Sequence, residues 1–101
     1  MTQEYLLRLN IPPSLEEEFV DELLSSDAIS GYQSFNISGH GQVGAMTIAE
    51  QVAGRRNRVQ FEIALDANSV KPLLQQLKTA FPTSDIIYWL IPIAESGRFA
   101  E

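Results

Sequence analysis

The chain has 101 residues, 45% of them hydrophobic and 20% charged, which is enough for one domain with one core and no second one. A net charge of −6 with only seven basic residues excludes the broad basic surface that a nucleic-acid backbone needs. Cysteine is absent, which excludes disulfides, thiolate metal sites and a cysteine nucleophile together.

Glu4–Ile11 alternates, with Tyr5, Leu7, Leu9 and Ile11 on one face and Leu6, Arg8 and Asn10 on the other, the pattern of a half-buried strand. Glu4 and Arg8 also interrupt this apolar stretch, so it does not read as a signal peptide. No apolar run reaches the length of a membrane span, and a cytoplasmic location is the default expectation. Pro12-Pro13 stops the strand. Ser14 with Glu17 three residues on reads as a capping box opening a helix. Glu16, Glu17 and Glu18 fall in its first turn, where the helix dipole favours anions, and Leu15, Phe19, Leu23 and Leu24 form its inward stripe.

A second strand is expected from about Tyr32 to Ile37 and a third from about Arg58 to Leu65, with Val59, Phe61, Ile63 and Leu65 inward and Arg58, Gln60 and Glu62 outward. Asn68 or Ser69 is the expected cap of a second helix, whose stripe is Val70, Leu73, Leu74, Leu77 and Phe81. Pro72 is tolerable if it falls in or beside the first turn. A last strand is expected over Ile86–Ile93, followed by a tail, Ala94–Glu101. The order β-α-β-β-α-β predicts an α+β ferredoxin-like domain over 1–101, an antiparallel four-stranded sheet with both helices on one face.

Two segments stand out. The connection from about Gly39 to Arg56 is long for a small domain, and long connections are kept where they have a task. The last strand is apolar on both faces although the topology puts it at a sheet edge, where charge or proline is usual. Self-association or the folded-back tail is its expected cover.

Gly39-His40-Gly41-Gln42-Val43-Gly44, following a strand, resembles the start of the long loop of PII signalling proteins. Gly39-His40-Gly41, Ala49-Glu50-Gln51-Val52-Ala53-Gly54-Arg55-Arg56, Tyr88-Trp89 and Glu95-Ser96-Gly97-Arg98 resemble more closely a PII-like bacterial family described only as a domain of unknown function, whose members often accompany heavy-metal efflux systems. The resemblance implies a homotrimer, an effector cleft between subunits, and a loop that reports the bound state to a partner. Gly39 and Gly41 match the glycine turn beside the nucleotide. Gln42 stands where PII proteins usually carry arginine, Phe81-Pro82-Thr83-Ser84-Asp85 replaces a glycine-rich phosphate loop with lysine, and Pro92 and Ala94 replace basic residues near the last strand. Only Gly97 and Arg98 match the end of that region.

The candidate ligand residues are therefore Gly39, Gly41, Gln42, Arg55, Arg56 and Arg98. The glycines either let backbone N–H groups approach an anion or only loosen the turn. Arg55, Arg56 and Arg58 either grip phosphate or carboxylate or form intersubunit bridges to the glutamates of the first helix. His40 either faces solvent or, with Met46, holds a metal where three copies meet on a three-fold axis. Ile48, Glu50 and Val52 lie on an amphipathic stretch suited to docking a partner or to burial in a neighbouring subunit. No nucleophile or oxyanion device accompanies His40 and Glu50, so an enzyme ranks last. A PII-like regulator or sensor ranks first, and a trimeric metal-binding or ion-tolerance protein second. The cofactor is unspecified.

Overall fold

A computed structural model describes residues 3–40 and 56–100. The elements are β1 (Glu4–Ile11), a 3-10 turn (Pro13–Leu15), α1 (Glu16–Leu24), β2 (Gln33–Gly39), β3 (Arg56–Asp66), α2 (Ala67–Ala80) and β4 (Ile87–Ile93). All neighbouring strands pair antiparallel, in the order β2-β3-β1-β4. This is the ferredoxin-like βαββαβ arrangement.

Period-two alternation puts one face of each central strand into the core. Leu7, Leu9 and Ile11 of β1 and Val59, Phe61, Ile63 and Leu65 of β3 are buried with Phe19 and Leu23 of α1 and Val70, Leu73 and Leu77 of α2. The rings of Phe19 and Phe61 lie 4.9 Å apart at 49°, and Phe19 also meets Phe81 at 5.5 Å. The helices are tied by Gln76, whose amide donates to Glu22 O at 3.0 Å and to Ser25 Oγ at 3.1 Å.

Both helix starts differ from expectation. Ser14 makes no capping box: Pro13–Leu15 wind as a 3-10 turn closed by Leu15 N–H donating to Pro12 O at 3.1 Å, and α1 begins only at Glu16 with no side-chain cap. The two prolines supply preset φ angles, so the chain turns there without help from a side chain. Leu24 lies outside the stripe at 71% exposure, because it is one step round the helix from buried Leu23. In α2 the cap is Asp66, the last residue of β3, not Asn68 or Ser69; its carboxylate accepts from Ser69 N at 3.0 Å and from Ser69 Oγ at 3.1 Å. The helix thus starts at Ala67 and Pro72 falls inside it, on an exposed position in the second turn. Asp66→Ala is expected to lower stability by about 1 kcal/mol, read from the urea midpoint at unchanged slope.

The tail does not cover β4. Ser96 Oγ donates to Glu4 Oε1 at 2.6 Å, and Ala94–Ala100 are exposed. Ile87, Tyr88, Trp89 and Leu90 remain 39%, 42%, 48% and 39% exposed. No helix among the described residues is long and apolar enough to cross a membrane.

Candidate functional site

The sheet face turned away from the helices carries the polar chemistry. Strand pairing places Asn10 beside Ile87, Arg58 beside Ile37 and Arg56 beside Gly39, all on this face near one end of the sheet. Asn10, Gly39, His40, Arg56, Arg58, Ile87 and Trp89 line a recess of about 180 Å³ there. Every strand contributes to it, and the ends of β2 and β3 form one wall.

Arg56 and Arg58 are among the most shielded polar residues of the described chain, 7% and 3% exposed. Arg58 was expected to face outward. It does leave the helix-side core, but the opposite face closes over it. Its Nη2 donates to Asn10 O at 2.9 Å and to Asp85 O at 2.7 Å, its Nε donates to Asn10 Oδ1, and its Nη1 donates to Asp85 Oδ2 at 3.1 Å. Arg56 Nη2 donates to the same carboxylate oxygen of Asp85. Arg56 and Arg58 thus bridge within the chain to a carboxylate from the connection between α2 and β4. A further bridge, Arg8 Nε to Glu62 Oε2 at 2.9 Å, lies further along the same face.

Burial pushes the Asp85 carboxyl up, but hydrogen bonds and charge from Arg56 and Arg58 outweigh it and hold it below the usual 3.8. The proton is therefore bound less tightly folded than unfolded. The stability that the carboxylate contributes is present above the ordinary carboxylate range and is lost as pH falls through the depressed value.

Gly39 belongs to β2 and not to a turn. A methyl group there meets Arg58 Cγ at 3.5 Å and Arg56 Cβ at 3.7 Å, ordinary contacts, so neither backbone conformation nor space demands glycine. His40 follows it and lines the recess. Arg98 is not brought to this site. It lies on the tail beyond Ile93, and Ile93 pairs with Glu4 at the other end of β1, about 20 Å from Asn10 at the usual strand rise. Gly41, Gln42, Met46, Ile48, Glu50, Val52 and Arg55 lie outside the described residues. Among the described residues no three His, Cys, Asp or Glu side chains gather as a metal site.

Asn10, Asp85, Ile87 and Trp89 were not singled out from the sequence as parts of a site. Asn10 and Ile87 were legible in principle, since the strand order and period two set them on the same sheet face as Arg58, Asn10 being the partner of Gln60, two residues along β3. Asp85 carried no such signal, because it lies 27 residues from Arg58 in an irregular connection.

The described architecture is that of the PII-like proteins. At a TM-score of 0.72, 20% identity and coverage of 95% of this chain and 94% of the other, it matches CPII, a nitrogen regulatory PII-like protein from Thiomonas intermedia K12 whose structure holds ADP, AMP and bicarbonate. It matches Arabidopsis thaliana PII, bound to citrate, at a TM-score of 0.74 and 16% identity over 97% of this chain and 84% of that one. These identities establish a shared fold. A nearer structure is a DUF3240 family protein from Shewanella baltica OS155, 27% identical, with a TM-score of 0.80 over 99% of this chain and 100% of the other. The chain belongs to that family, DUF3240, described as proteins of unknown function, which matches residues 1–100. No curated protein matches the sequence.

Proposed function

We propose that the protein is a non-enzymatic, cytoplasmic, PII-like regulator whose recess at the ends of the four strands takes a small anionic effector. The observation that carries this reading is the position of the recess. Gly39 ends β2, His40 follows it, Arg56 opens β3, and all three line the recess, so the residues that flank 41–55 on both sides stand at its walls. A ligand held there touches both roots of that segment. Contact at both ends of one segment is what a sensor requires to pass on occupancy. Two buried guanidiniums supply the anion affinity. The family resemblance adds the homotrimer, the docking of a protein partner through Ile48, Glu50 and Val52, and the link to metal homeostasis. The exposed apolar edge of β4 supports self-association.

Calorimetric titration tests the reading. Bicarbonate, phosphate and citrate are the small anions to try, since CPII and Arabidopsis PII hold bicarbonate and citrate. At least one is expected to bind wild type, with heat lost in Arg56→Met. Divalent metal bound at micromolar concentration with no anion response would instead favour the metal-binding reading centred on His40 and Met46. ATP is expected to bind no tighter than roughly 100 μM, about −5.5 kcal/mol. The arginine position is Gln42, the phosphate loop is replaced by 81–85, and Arg98 lies away from the recess within one chain. A low-micromolar ATP site overturns that expectation.

A further inference from the structure

We propose that Asp85 is a built-in competitor of the recess, a carboxylate that occupies Arg56 and Arg58 until an incoming oxyanion displaces it. This rests on the reading of the recess as an effector site and adds what occupies its two guanidiniums beforehand.

Three observations carry it. First, the charges are unequal: the two guanidiniums share a single oxygen, Asp85 Oδ2, so two positive charges face one negative. Second, the partners are unequally exposed. The side chains of Arg56 and Arg58 are 9% and 3% exposed, whereas that of Asp85 is 43% exposed. The carboxylate approaches from the solvent side, and it regains water when it leaves. Third, Arg58 does not depend on the carboxylate for its position. Asn10 O, Asn10 Oδ1 and the main-chain carbonyl of Asp85 all accept from it. These neutral acceptors keep its guanidinium in place when the carboxylate swings out. Asp85 is thus the displaceable member of a fixed cationic pair.

An internal competitor acts through its effective concentration, on the order of millimolar for a short tether. Free anions must exceed that competition before they occupy the site. Ile87 of the edge strand also lines the recess, so an oxyanion held there touches β4 as well as Gly39, His40 and Arg56.

The test compares wild type with Asp85→Asn, which keeps the shape and the main-chain acceptor but removes the charge. The probe is inorganic phosphate, titrated by calorimetry at pH 7.5, with acetate in a second series to separate phosphate from carboxylate recognition. Phosphate affinity is expected to rise at least about tenfold in Asp85→Asn, the scale of removing a tethered competitor. Equal affinity in the two proteins overturns the competitor role and leaves the effector site standing. Binding of neither anion to either folded protein overturns the effector site itself, and the competitor with it. A second measurement covers an Asp85→Asn chain that does not fold: the carbon-13 carboxyl resonance of Asp85 in wild type. It is expected to shift as phosphate saturates the protein. A resonance that stays fixed at saturation overturns the proposal.

Discussion

Arg58→Ala is expected to lower stability by about 3 kcal/mol, which for a chain of this size moves the melting temperature by roughly 12 to 24 °C. The side chain is 3% exposed and donates to four acceptors on two separate segments. Its loss leaves a main-chain carbonyl and an amide oxygen of Asn10 without their donor and cuts the tie between β1, β3 and the α2–β4 connection. Each orphaned buried acceptor costs on the order of 1–3 kcal/mol. The Asp85 carboxylate adds less than a deeply buried partner would, because its exposed side re-solvates. Urea unfolding at fixed protein concentration measures the change, since any self-association makes stability concentration-dependent. A loss below about 1 kcal/mol would mean that water replaces the guanidinium at Asn10.

The acid limb of stability checks the same cluster independently. In wild type the Asp85 contribution vanishes as pH falls below the ordinary 3.8, through the value that Arg56 and Arg58 depress. With Arg58 gone the folded and unfolded carboxyls move closer together. The variant is therefore expected to lose less stability between pH 5 and pH 3 than wild type does, when urea midpoints are compared at both ends. An acid limb as steep as that of wild type would place the depression on other carboxylates.

What was legible in the sequence follows from how each element is buried. β1 and β3 lie in the middle of the sheet with one face on the helices, so their alternation states their orientation and the extent of β1, whereas β3, expected over Arg58–Leu65, runs on to Arg56 and Asp66 at its polar ends. The helix stripes were legible for the same reason, apart from Leu24, since a periodic stripe does not say where it stops. The helix starts were not legible. At 12–15 two prolines bend the chain without a side-chain cap, and Asp66 serves at once as the end of a strand and the cap of a helix. Reading strand and helix as separate elements hides such a shared residue. The basic cluster was visible as Arg55, Arg56 and Arg58, but not its partner. Local spacing reports neighbours on one strand, whereas Asp85 reaches the arginines only through the order β3-β1-β4 and the connection that precedes β4. Once that order is accepted, period two puts Asn10, Arg58 and Ile87 on one face, and the register gathers them at one end of it. The route to the site ran through topology rather than motif.

Trp89→Glu is expected to abolish assembly. Wild type should scatter light as three times the 11.3 kDa chain mass after size exclusion, and the variant as a single chain. Trp89 sits on the edge strand, opposite Arg8, on the face that the helices leave open, and it is 48% exposed with Ile87 and Phe35 on the same face at 39% and 43%. The tail that was the alternative cover lies along the Glu4 end and leaves the strand bare. A carboxylate in place of the indole removes the most exposed apolar side chain of the edge strand and brings a charge into the contact, opposite an Arg8 that Glu62 already holds. Its desolvation costs several kcal/mol in each copy, enough to dissociate a contact that is not much stronger. The fold itself should survive, because Trp89 is outside the core cluster packed by the helices. Leu24→Glu is the control. Leu24 is more exposed, at 71%, but lies on α1, away from the open face, and the charge there should leave the mass unchanged. If Trp89→Glu keeps the assembled mass, the copies meet elsewhere. If wild type is already a single chain at micromolar concentration, the apolar edge awaits a different partner and the effector recess must work within one protomer.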